Sequence, residues 1–122
     1  METWADQLNT VTEDLAGFPA RLKMTVTEAL KGAGAAPSPV ELLVVLRKIR
    51  AVLVDGQLLS GRLRALLAAI PSGVPPDLKE RAQQVWQPVD QEIASAIAAL
   101  DAREALINLA MLLKTERNDY VH

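Results

Sequence analysis

The sequence predicts an all-α protein, an up-down bundle of three long kinked helices, or four if a boundary falls near Asp101. Three observations carry that reading. Apolar residues recur at alternating steps of three and four through most of the chain, the pattern of helices that bury one face. Two segments open on side-chain patterns that satisfy the free amides of a first helical turn. Half of the 122 residues are apolar but only 3% are aromatic, so the core must be built from aliphatic ridges. A chain of this length forms one domain, 1–122, with room for a single core.

The first helix spans about 3–31. Trp4, Leu8, Val11, Leu15, Phe18, Leu22, Val26 and Ala29 fall on one stripe. Pro19 interrupts the hydrogen bonding, but the stripe keeps its phase across it, which favours one kinked helix over two. Glycines 32 and 34, among alanines and before Pro37, mark a surface loop.

The second helix spans about 39–70. Ser38, Pro39 and Glu41 supply an N-cap hydroxyl, a proline at N1 and a carboxylate at N3, and Ile70-Pro71-Ser72-Gly73 stops the helix. Its stripe of Leu42, Leu46, Ile49, Leu53, Leu63, Leu67 and Ile70 is completed by two small residues, Gly56 and Ser60. These read as a close-packing notch that admits a bulky ring, with Trp86 or Trp4 as the candidate. Two other readings of Asp55-Gly56 stand beside this one. It is a favoured hairpin turn between strands, and two helices could meet there.

The third helix spans about 77–117, with Asp77 as N-cap, Glu80 at N3 and Pro88 as an internal kink. Asp101-Ala102-Arg103-Glu104 resembles another capping sequence. No glycine or proline accompanies it, which favours continuity. Short connectors make consecutive helices antiparallel neighbours. The central segment carries five basic and two acidic residues, while the segments before and after it are net acidic. That complementarity favours packing of the central helix between the other two.

Several function classes are disfavoured on composition. There is no cysteine, hence no disulfide or thiolate metal site, and an intracellular protein is the natural expectation. The acidic first residues do not form a secretory signal, and every apolar run is too short to span a membrane. A cytoplasmic location is expected. The net charge of -2 argues against nucleic acid. The one histidine is His122, and no glycine-rich phosphate loop or metal-ligand spacing occurs. No catalytic residue, cofactor, metal or small-molecule substrate is therefore expected.

What remains are surfaces. Arg47, Arg50 and Arg64 share one helical face and could bind an acidic partner through their guanidinium forks; the simpler account pairs them with the acidic flanking helices. Trp86 suits either an interface or a core position against Gly56. Asn108 is read chiefly as a surface residue. Leu106, Ile107, Leu109, Met111, Leu112 and Leu113 surround almost the whole circumference of one helical turn after another, so this end, with Met111 and Leu112 as its markers, is expected to meet a partner protein or a second copy.

The run from Leu46 to Leu63 (LRKIRAVLVDGQLLSGRL), with Val85-Trp86-Gln87-Pro88-Val89-Asp90 and Leu113-Lys114-Thr115-Glu116-Arg117-Asn118-Asp119-Tyr120, resembles the small all-helical proteins that accompany caspase- and TPR-associated modules (CATRA) in bacterial conflict systems. The resemblance implies an accessory or adaptor subunit that binds a larger effector, and it carries no catalytic residue to transfer. The alternative is a self-associating structural bundle without a dedicated effector.

Overall fold

The computed structural model describes the backbone of residues 3–120 and the side chains of residues 3–114. Three helices follow in order, α1 (Trp4–Ala33), α2 (Pro39–Ala68) and α3 (Pro76–Tyr120), and no strand occurs among the described residues. The chain is all-α, and Asp55-Gly56 lies within an unbroken α2. Pro19 and Pro88 are likewise internal to single helices. Asp101 is internal to α3, which continues through it without a boundary.

Each helix start has a local cause. Thr3 Oγ1 accepts from the Asp6 amide at 3.2 Å and Asp6 Oδ2 accepts from the Thr3 amide at 3.3 Å, a complete capping box. Ser38 Oγ accepts from the Glu41 amide at 3.2 Å and donates to Glu41 Oε1 at 3.1 Å, with Pro39 in the position where its missing amide costs nothing. The third start differs from the sequence reading: α3 begins at Pro76, so Asp77 lies inside the first turn instead of capping it. Proline presets the helical backbone angle at N1, and a carboxylate in that turn still faces the positive end of the helix dipole. The two connectors contain Gly34 and Gly73 at φ of 84° and 83°, conformations in which a Cβ would be strained.

The core runs along the inner faces of all three helices. Leu8, Leu15, Phe18, Leu53 and Leu63 are the largest fully buried side chains, and Ala82, Val89, Ile93 and Leu100 of α3 close over them. Because α1 packs on α3 as well as on α2, the bundle is three-cornered, and α2 is one corner of it instead of a layer between the other two. Charge complementarity holds across one seam only. Arg50 of α2 meets Asp101 and Glu104 of α3 at 2.5 and 3.1 Å, whereas the ion pair between α1 and α2 has the opposite polarity, Arg21 with Asp55 at 2.9 Å.

The notch in α2 exists, but the ring that fills it is Phe18. A Cβ at Gly56 would stand 2.5 Å from Phe18 Cζ and 2.8 Å from both flanking ring carbons, inside van der Waals contact on every side. Glycine at this point costs about 1 kcal/mol of helix propensity and lets the phenylalanine reach the helix backbone. Trp86 sits one turn further along, against the other small residue. Its indole Nε1 donates to Ser60 Oγ at 2.9 Å, and Ser60 Oγ donates in turn to Asp90 Oδ1 at 2.6 Å. Trp4 serves a third purpose: its Nε1 donates to the Leu66 carbonyl at 3.0 Å. That carbonyl is one of the last four of α2, which have no partner within their own helix.

Candidate functional site

The described residues divide by exposure along the bundle. The antiparallel order places the end of α1, the start of α2 and the far part of α3 together. The ion pairs fix the level: eleven residues before Arg50, α2 begins at Pro39, and eleven residues beyond Asp101, α3 has reached Leu112. From Leu113 onward α3 runs past the start of α2.

At this end the apolar surface is left open. Leu30, Val40 and Val44 are exposed, as are Leu106 (65%), Leu109 (51%), Leu112 (57%) and Leu113 (55%). Isolated exposed leucines such as Leu58 are ordinary on any protein, but a contiguous group marks a contact surface. Between the three helices lies a groove of about 440 Å³. Val26 and Leu30 of α1 form one wall, Leu42, Val45, Leu46 and Ile49 of α2 the floor, and Leu106 and Ile107 of α3 the other wall. The only charged residue that lines it is Arg103, at the rim and exposed.

The residues singled out from the sequence fall in different places. Leu112 belongs to the open end. Met111 is half-buried on the inward side of α3, and Asn108 is exposed. Arg50 is half-buried and engaged with Asp101 and Glu104; the hydrogen bond to Asp101 raises its pKa further above the already high arginine value, against a smaller lowering by desolvation. Its charge therefore persists throughout the physiological range. Arg47 and Arg64 are exposed, so the three arginines do not form one site. Trp86 is part of the Ser60–Asp90 hydrogen-bond chain between α2 and α3, with its ring half-buried. Gly56 and Ser60 are buried contact points between helices.

The groove residues of α1, Val26 and Leu30, and Arg103 were not legible as a site. Their sequence positions continue ordinary helical patterns, and only the ends of neighbouring helices coming level creates the hollow. Among the described residues no group of histidine, aspartate and glutamate side chains is placed to hold a metal ion, and no helix is long and apolar enough to cross a membrane. His122 lies outside the described residues.

Compared with protein-family models, curated proteins and solved structures, the chain matches none.

Proposed function

We propose that this protein is a non-catalytic adaptor that docks a larger effector or signalling protein through the groove at the open end of the bundle. The observation that carries the reading is the groove's lining, in which eight of nine residues are apolar and Arg103 is the sole charge. Such a surface suits an amphipathic helix that lays apolar residues at helical spacing into the hollow and sets a carboxylate against Arg103. A catalytic role has no comparable support: the half-buried or buried polar groups Arg50, Glu104, Ser60, Trp86 and Asp90 are engaged with one another in ion pairs and hydrogen bonds. The acidic net charge favours a protein partner over nucleic acid. The resemblance in the Leu46 to Leu63 run supports a cytoplasmic setting and an effector of a bacterial conflict system.

The test is co-purification from the native cell of tagged wild-type protein and of a Leu30→Ser/Leu42→Ser variant, both positions in the groove. The reading expects a larger protein, encoded near this one, in stoichiometric amount with the wild type and lost with the variant. Recovery of the same partner by both proteins would place docking elsewhere, and recovery of none would remove the adaptor role.

A further inference from the structure

The outer face of α3 carries a second apolar stripe that the core does not account for and of which the groove takes only Leu106. Ser95, Ala99, Ala102, Leu106, Leu109 and Leu113 follow one another at steps of four, three, four, three and four, and all six are exposed. This is the heptad spacing that keeps one face toward a partner helix. The core residues Ile93, Leu100 and Ile107 lie on the opposite side of the same helix. Between Ser95 and Leu113 the only charged residues are Asp101, Arg103 and Glu104, and none lies on the stripe. Two of these, Asp101 and Glu104, are turned toward α2, where they hold Arg50.

The order of sizes along the stripe identifies the occupant. The first three positions are small and the last three are leucine. The spacing is also the same read in either direction. We infer that α3 pairs with α3 of a second copy, antiparallel, about a two-fold axis level with Glu104. That axis sets Leu113 opposite Ser95, Leu109 opposite Ala99 and Leu106 opposite Ala102, so that in all six layers of the seam a leucine from one copy fills the space over a small residue of the other. A parallel pair would instead crowd leucine on leucine at one end and leave serine and alanine facing across a gap at the other. A two-fold interface must be complementary to itself, and this stripe is. The axis also brings Arg103 beside its mate at the edge of the seam, an opposing like-charge contact. The seam spans only ~27 Å of a single helix, a small contact of the kind that makes weak, reversible pairs. The pairing does not depend on the groove being a docking site.

Sedimentation equilibrium of the full chain over ~1 µM to ~1 mM, the range in which weak interfaces equilibrate, tests the pairing. Wild-type protein is expected to pass from monomer to dimer. Leu109→Ser should shift that transition at least tenfold upward in concentration, with an unchanged unfolding curve to show that the fold is intact. Leu30→Ser, in the groove, should leave it in place. A spin label on Ala94→Cys, exposed beside the seam in a chain with no other cysteine, reads the direction: the two labels should lie ~30 Å apart along the pair, whereas parallel helices would bring them level. A wild-type monomer throughout the range, a dimer indifferent to Leu109→Ser, or labels level with each other would each overturn the proposal.

Discussion

The two ends of this bundle are built from the same kinds of residue and finished differently. From the end that holds Trp4 to the middle of the bundle, each ring has a specific counterpart: Phe18 the missing side chain of Gly56, the Trp4 indole a free carbonyl of α2, Trp86 the hydroxyl of Ser60. At the opposite end several leucines stand more than half exposed, around a hollow whose lining is apolar except for Arg103. Hydrophobic burial is the main favourable term in folding, so a chain selected for stability alone would have covered that surface or made it polar. The contrast separates the part of the molecule that holds the fold from the part left available to other molecules.

Substitutions should follow the same division, with the largest losses at the closed end. Phe18→Ala empties a fully enclosed ring site and is expected to cost about 3–5 kcal/mol in urea unfolding. Gly56→Ala attacks the same contact from the other side. Alanine is the better helix former, but its methyl would meet three ring carbons of a phenylalanine that is only 2% exposed, so the net effect should be a loss of about 1–3 kcal/mol, with leucine at this position at least as damaging. The pair Phe18→Leu with Gly56→Ala should lose less than the two single losses combined, which a double-mutant cycle measures. A stabilised Gly56→Ala protein would mean that the ring does not sit on the backbone.

Ser60→Ala comes next. It leaves both the Trp86 indole and Asp90 without the hydroxyl that joins them, an expected loss of about 1–3 kcal/mol that Ser60→Thr cannot cleanly test, since the added methyl would have to fit a site 4% exposed. Trp4→Phe keeps the ring and removes only the donor to Leu66, for about 1 kcal/mol. The smallest effect belongs to Arg50→Gln. Its ion pairs are partly solvated, and such pairs contribute little. Because the arginine pKa is raised in the folded protein, their contribution is complete below the unfolded value and is lost only as pH rises from there through the higher folded one. The difference between Arg50→Gln and wild type should therefore be flat with pH through neutrality on the arginine side, and shrink in high salt.

Much of this fold can be read directly in the sequence. The step-three, step-four stripes, the Ser38-Pro39-Glu41 start and the prolines kept in phase gave three helices within a few residues of their observed limits. The Thr3–Asp6 capping box was missed from the sequence, although a threonine followed three residues later by a carboxylate is its signature. What escaped was relative height. That Gly56 needs a ring follows from its place on the stripe, but whether Phe18, Trp4 or Trp86 supplies it depends on how far one helix slides along another, which no local pattern specifies. Asp77 was misplaced by two positions, at N-cap instead of N2, because proline and aspartate compete to open the same helix. The open end divides likewise. Its excess of leucine from Leu106 to Leu113 is evident along the chain, whereas the groove exists only because residues of all three helices come level there.

The most direct measurement of the division between ends is the unfolding free energy of Leu106→Ser/Leu109→Ser/Leu113→Ser, taken at a concentration low enough that association does not add to stability. If these leucines serve recognition, the loss of all three should stay within about 1 kcal/mol of wild type, as for exposed positions elsewhere. A loss of several kcal/mol, on the scale of Phe18→Ala, would show that the open end holds the fold together and contradict the account.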